Sequence, residues 1–485
     1  MSRTAGKSMA WGGALSAARL LSGLVRIKVV ALALGVSGVG IFSLLLQMNL
    51  TGVAIVSMSL AVPIINLGRP SVAEGRFAAA GAIAGTALAM VVANALVLIF
   101  AAAWFGTDLF RAAGIGQLDP LLVWPLVFSI VIAAFGTSIG EGMSYLSDRF
   151  DAYVWVGIVA AVADMLATAT AAWLYGLRGA IIAMPVSSVV LVGAYALLVG
   201  RDRTARQVLR NFSVSLSRLP SLLTYSAMMF ATIALTNIGL TFTRAKLLVE
   251  AGAQANGYLQ TATAISAYIL AFVTTGFWGH LHARAAAAGD SPEIRAELGQ
   301  ALRLGALISF TGCGTAVVLA RYLIPLFYSG QFSGAEELVI AYMPGELCYQ
   351  LLFLLTAYQL TISRRRRYFA WSVGYVLLLT AVGYLAIPRF GALGYVGAHV
   401  SAAVLMLCAT AAICWRSHQI RASFLSLAVV LVGLLALLSA GSFYLLGHPE
   451  AEAWRLIGLV PMGVTAAIAG RELLGGARAR VRLDS

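Results

Sequence analysis

Apolar stretches of ~20 residues recur from one end of this chain to the other, and that is the length a helix needs to cross a ~30 Å hydrocarbon core. They can be read at 9–33, 41–65, 80–104, 120–144, 153–176, 179–200, 221–248, 256–279, 302–327, 334–360, 368–387, 392–415, 423–446 and 453–473. Transmembrane β-strands would be half as long and would alternate in polarity, which these segments do not. A backbone in lipid must satisfy its own hydrogen bonds, so helices are expected throughout. The predicted fold class is an all-α polytopic membrane protein with about 14 transmembrane helices. Composition points the same way: 60% of the 485 residues are hydrophobic and only 11% are charged. That is about half the charged share of a soluble domain. It excludes a soluble enzyme, a disordered chain and a nucleic-acid-binding domain.

The net charge of +14 is first a matter of topology. With the N-terminus inside, the inner segments carry most of the arginines, including Arg69, Arg76, Arg149, Arg201, Arg203, Arg206, Arg210, Arg218, Arg284, Arg364 to Arg367 and Arg421. The outer loops and ends carry Arg111, Arg178, Arg321, Arg389 and Arg455. By the positive-inside rule both termini are expected in the cytoplasm, and no nucleic-acid partner is needed to explain the charge. The Arg364–Arg367 run reads as a topology anchor or as a lipid head-group patch. The basic start Met1–Lys7 leads into an apolar stretch that carries Arg19 and lacks a small-residue cleavage site, so it is expected to be an uncleaved first span. Cys313, Cys348, Cys408 and Cys414 lie in apolar segments without metal or redox spacing.

A short internal repeat suggests the organisation. Arg26-Ile-Lys28 ends the first span ahead of Gly40-Ile-Phe42, and Arg244-Ala-Lys246 ends the seventh ahead of Gly257-Tyr-Leu259. Both run from inside to outside, as in transporters built of parallel repeats. The expected domains are a six-helix bundle at 1–200, a cytoplasmic linker at 201–220, a second six-helix bundle at 221–415, and two further helices with a basic tail at 416–485.

Ionisable residues inside a span are costly and rarely idle. Arg19 lies mid-span on a stripe with Gly12, Ser16, Ser22, Gly23 and Arg26, at helical spacings that put them on one face. A close helix seam explains the small residues but not the two arginines; a water-filled cavity explains both. In the seventh span Thr232, Thr236, Gly239, Thr243 and Lys246 repeat the pattern, with Asn237, Thr241 and Arg244 beside it. Arg26, Lys28, Arg244 and Lys246 either snorkel to head groups or line a shared cationic vestibule. Gln47 with Thr51, and Gln260 with Thr263, give the second and eighth spans a polar side, which interhelical hydrogen bonding would also explain. Asp164 lies mid-way along span 5, Glu346 mid-way along span 10 after Pro344-Gly345, and Glu141 near an inner end. Such acids either couple transport to protons or sodium or pair with the arginines. His280-x-His282 lacks the further ligands a metal needs, so neither metal nor cofactor is expected.

At these residues the chain resembles the oligosaccharide flippases of the multidrug/oligosaccharidyl-lipid/polysaccharide exporter superfamily, the O-antigen and lipid III flippases in particular. Leu34-Gly-Val-Ser-Gly-Val-Gly-Ile-Phe42 resembles their first outer turn, and Arg244-Ala-Lys-Leu-Leu248 the end of their seventh span. Gly257–Ser266, Gly345-Glu346, and Ile387-Pro388 with Gly391–Gly394 resemble later landmarks in the same order. The resemblance covers roughly residues 8–415; two extra spans resemble the related lipid II flippases.

The resemblance implies a non-enzymatic flippase in a bacterial inner membrane. It would move a polyprenyl-pyrophosphate-linked oligosaccharide by alternating access, for cell-surface polysaccharide export. Further partners would be membrane lipids and the polysaccharide polymerase and chain-length machinery. A pyrophosphate suits cationic donors. Arg19, Arg26, Lys28, Arg244 and Lys246 are the expected head-group ligands, Gln47, Asn237 and Gln260 their polar neighbours, and Asp164 and Glu346 the expected ion-coupling acids. The alternatives are a drug or metabolite exporter of the same superfamily and a membrane glycosyltransferase such as a polymerase or ligase. The three bases and no acid of the first span argue against the exporter. The modest outer loop 105–119 argues against the transferase.

Overall fold

The computed structural model describes residues 3–146, 150–277, 292–361, 365–416, 422–444, 446, 448 and 451–484. His280, His282, Arg149, Arg284, Arg364 and Arg421 lie outside them. Among the described residues the secondary structure is helical and no strand occurs. In chain order the α-helices are α1 (Arg3–Ser57), α2 (Ala61–Ala73), α3 (Phe77–Ala112), α4 (Val123–Phe135), α5 (Glu141–Leu146), α6 (Phe150–Arg201), α7 (Arg203–Arg210) and α8 (Leu219–Phe277). They continue with α9 (Pro292–Val318), α10 (Ala320–Phe327), α11 (Glu336–Thr361), α12 (Arg365–Arg416), α13 (Ala422–Tyr444) and α14 (Ala451–Asp484). Nine helical stretches among the described residues are long and apolar enough to cross a membrane.

Four of the longest helices are broken at a single glycine: α1 at Gly35, α6 at Gly176, α8 at Gly252 and α12 at Gly391. Each has positive φ with ψ far from helical; Gly252, for example, sits at φ 83, ψ 172. This region is essentially closed to residues with a Cβ, so glycine sets the break. All four fall where the apolar pattern separates consecutive spans. Gly252 isolates the backbone effect, because a Cβ there meets nothing within 4 Å. Gly252→Ala is therefore expected to cost about 1–3 kcal/mol, read as a lower melting temperature of the purified protein. Gly193→Ala inside α6, also in open space, should be neutral or mildly stabilising.

One expected span is interrupted. The stretch 41–65 ends as helix at Ser57, and α2 starts at Ala61 after two positive-φ residues, Met58 and Ser59. Pro63 explains the break: its ring would clash with the carbonyl four residues back, at Ser59, if the helix ran straight through. The stretch 120–144 is α4 and α5 joined by a π-helical turn, Gly136–Gly140.

The chain forms two compact units, Met1–Asn256 and Gly257–Ser485. In the first, α1 packs on α6 and α4, and α2 on α3 and α5. The linker expected at 201–220 is a strap on this unit. Asp202 caps α7 by accepting from the Ala205 N–H at 2.9 Å, and Ala205 and Val208 are buried. The strap then crosses α3 so closely that a Cβ on Gly85 would sit 2.5 Å from the Ser213 carbonyl oxygen. The Ser215 N–H donates to Thr86 Oγ1 at 3.0 Å.

In the second unit α9 packs on α11, α13 and α14, and α11 on α12. Arg455 on α14 donates to Glu336 on α11 at 2.6 Å, and Thr311 and Thr465 hydroxyls meet at 2.9 Å. The C-terminal helices are thus part of this core.

Candidate functional site

In the first unit the basic stripe of α1 acquires two different acids. Arg26 is ion-paired with Asp164 on α6, and the Thr168 hydroxyl donates to the other Asp164 oxygen at 3.3 Å. The pair is partly accessible, 27% for Arg26 and 28% for Asp164. An expected substrate ligand and an expected ion-coupling acid therefore neutralise each other. Arg19, two turns earlier, stays exposed. Its guanidinium bonds to Tyr153 and lies in the field of Glu141. Gly157 leaves room for it, since a Cβ there would stand 3.2 Å from Arg19 Nη2. Seven residues of helix put the two guanidinium-bearing positions about 10.5 Å apart along the axis.

Gln47 and Asn237 come together. The Gln47 side-chain amide donates to Asn237 Oδ1 at 3.0 Å. Thr51 Oγ1 reaches the Gln47 carbonyl, the Asn237 carbonyl and the Thr241 hydroxyl at 2.8, 3.1 and 2.6 Å. Nearby, Asn256 Nδ2 donates to the Gly40 carbonyl at 2.7 Å. The bonds of Asn237 tie the first limb of α8, and that of Asn256 the start of its second limb, to the second limb of α1, and residues up to 256 cluster with the first unit. Of the other expected head-group ligands, Lys246 pairs with Glu250 at 2.7 Å, Arg244 is 7% exposed and Lys28 is half-buried.

Glu346 lies in the second unit, 2% exposed. Gln350 Nε2 donates to its Oε1 at 3.0 Å, Ser266 and Tyr342 also bond to it, and His399 Nε2 stands 3.7 Å from its Oε2. The His399 ring is stacked on Tyr342, 4.2 Å between centroids at 6°, and its Nδ1 meets the Tyr375 hydroxyl at 2.7 Å. His399 Nε2 and Gln350 Oε1 are buried without a hydrogen-bond partner. Both atoms belong to the buried side-chain network around the Glu346 carboxylate. Gln260, in the same unit, contributes its backbone carbonyl to the Tyr328 hydroxyl at 3.4 Å.

Sequence reasoning missed His399, Tyr375 and the tyrosines near Arg19. His399 carries the same signal that singled out Arg19, an ionisable group inside an apolar stretch. The tyrosines carried none, because an isolated Tyr in a span also fits the membrane–water boundary.

No protein-family model and no curated protein matches the chain. Solved structures do. The inward closed conformation of lipid II flippase MurJ superposes with TM-score 0.68 at 13% identity, over 97% of this chain and 99% of that one. An inward-facing multidrug resistance MATE family transporter of the MOP superfamily gives 0.65 at 16% identity, over 83% and 93%. An outward-facing MATE structure gives 0.60 at 15% identity, over 88% and 97%. The chain thus has the polytopic, all-helical fold of these MATE and MurJ structures.

Proposed function

We propose that the protein is a flippase for a polyprenyl-pyrophosphate-linked oligosaccharide of the bacterial inner membrane, working in cell-surface polysaccharide export. It carries its substrate across by alternating access of two six-span halves, 1–200 and 221–415, within a fourteen-span chain. The observation that carries this reading is Arg19: an exposed arginine about half-way along the first limb of α1, with Arg26 on the same face. Besides its bond to Tyr153, such a guanidinium offers a pyrophosphate bidentate bonds. The fold supports it, since one structure sharing it is named a lipid II flippase. Arg19 takes the pyrophosphate first, Arg26 becomes a second seat when Asp164 lets it go, and Lys28, Arg244 and Lys246 add to the field. Gln47, Asn237 and Gln260 serve the polar part of the cargo. Asp164 and Glu346 couple the cycle to an ion, and the polymerase and chain-length machinery take the product.

A drug or metabolite exporter is the second reading, favoured by the MATE structures. Against it stands the α1 stripe itself, which carries Arg19, Arg26 and Lys28 and no acid of its own, with Asp164 held by Arg26. The two separate on accumulated product. Removing the protein should pile up a lipid-linked oligosaccharide on the cytoplasmic face if the flippase reading holds, and should raise drug sensitivity without such accumulation if it does not.

The topology has its own check. Reporter fusions after Arg210 and after Arg366 should report cytoplasm, and one near Asp108 the outer side. An outside signal at Arg210 would overturn the fourteen-span arrangement.

A further inference from the structure

Arg19 is one of five polar side chains that meet in the first unit, and the other four have no part in the reading above. Glu141 and Tyr145 come from α5, Tyr153 and Tyr195 from α6. Arg19 bonds to Tyr153, and its charge reaches Glu141, Tyr145 and Tyr195 as well. The Tyr145 and Tyr153 rings lie 5.4 Å apart between centroids, tilted by 41°. Both are half-buried, as is Glu141, so each keeps an accessible side. Tyr195 is buried at 5% exposure behind them. Its ring is pressed on the helix at Gly140, where a Cβ would stand 2.5 Å from Cδ2. Gly140 closes the π-helical turn that sets the aim of Glu141, and such turns concentrate at functional sites.

The guanidinium bonded to Tyr153 and the charge of Glu141 share this corner with three phenols, and Glu141, Tyr145 and Tyr153 are each only half-buried. The chemistry is that of a site with an aromatic face and a few convergent polar groups. A pyranose fits it well: its C–H face lies on an aromatic ring and its hydroxyls donate to a carboxylate, while phenol hydroxyls serve the ring oxygens. The guanidinium beside it suits an adjacent phosphate.

We propose that Glu141, Tyr145 and Tyr153 form a subsite for the first sugar of a phosphate-linked glycolipid, next to Arg19 on the phosphate, with Tyr195 positioning the rings from behind. This rests on the flippase reading and adds to it a place where the sugar is read. The subsite lies wholly within the first unit.

The test is equilibrium binding to the full-length protein in nanodiscs. The probes are farnesyl pyrophosphate and its glucose, galactose and N-acetylglucosamine conjugates. At least one conjugate should bind about 10-fold more tightly than farnesyl pyrophosphate, a gain of about 1.4 kcal/mol. In Glu141→Gln, and separately in Tyr153→Phe, the ratio of conjugate to plain probe should fall toward one. Tyr145→Phe serves if either variant melts early. Equal affinity for all four probes, or a ratio that survives in the variants, would overturn the sugar subsite and leave the pyrophosphate site standing. No binding of any probe would overturn both.

Discussion

Arg19→Ala should abolish translocation while the protein still inserts and accumulates. No other single change is expected to have so large an effect. The alanine removes the accessible guanidinium of the α1 stripe, whereas Arg26 remains held by Asp164. Arg19→Lys should keep part of the activity, because the charge stays but the planar fork that grips two phosphate oxygens is lost. The rival account makes Arg19 a structural partner. Asp164 is held by Arg26, and Glu346 is bonded by Gln350, Ser266 and Tyr342. The acid beside Arg19 is Glu141. Transport restored in the reversed pair Arg19→Glu with Glu141→Arg would make Arg19 a structural residue and end the substrate-binding claim.

The second large effect separates the two acids proposed for ion coupling. Asp164→Asn leaves Arg26 as an uncompensated, mostly buried cation, so accumulation of folded protein should fall sharply. Adding Arg26→Gln should restore the fold, because removing both charges leaves neither unpaired. Glu346→Gln should behave differently. Its neighbours Gln350, Ser266 and Tyr342 can hydrogen-bond an amide as well as a carboxylate. The protein should therefore accumulate normally while transport loses its dependence on the coupling ion. Measuring accumulation by fluorescence size-exclusion and transport with and without an ion gradient checks both arms. An ion-dependent Glu346→Gln variant would leave the Glu346–His399 network as packing.

The sequence made the membrane architecture legible because two strong constraints act on it. Lipid demands apolar runs of fixed length, and four turns demand a glycine outside helical φ/ψ. Gly35, Gly176, Gly252 and Gly391 therefore sit where the apolar pattern pauses. The break at Met58–Ser59 was not legible as a boundary, since the residues around it remain apolar and the interruption traces to Pro63 alone. At the site, helical periodicity placed Arg19 and Arg26 on one face. It was silent on their partners, because Asp164 lies 138 residues from Arg26 and only packing of α1 on α6 decides which arginine it meets. Gln47 and Asn237 were each visible as polar residues in spans, but their bond joins positions 190 residues apart. The tyrosines around Arg19 and the His399 stack came from the same source, tertiary convergence of residues that look unremarkable one at a time.

The central claim is that the cargo is a lipid-linked oligosaccharide moved from one leaflet to the other. Proteoliposomes holding a fluorescent polyprenyl-pyrophosphate oligosaccharide in the inner leaflet, with a membrane-impermeant quencher added outside, read that step directly. Wild-type protein should bring the inner-leaflet fluorescence within reach of the quencher, and Arg19→Ala should leave it as protected as in protein-free vesicles. Protection equal in wild-type and protein-free vesicles, alongside transport of a cationic drug by the same preparation, would contradict the account and make this protein an exporter.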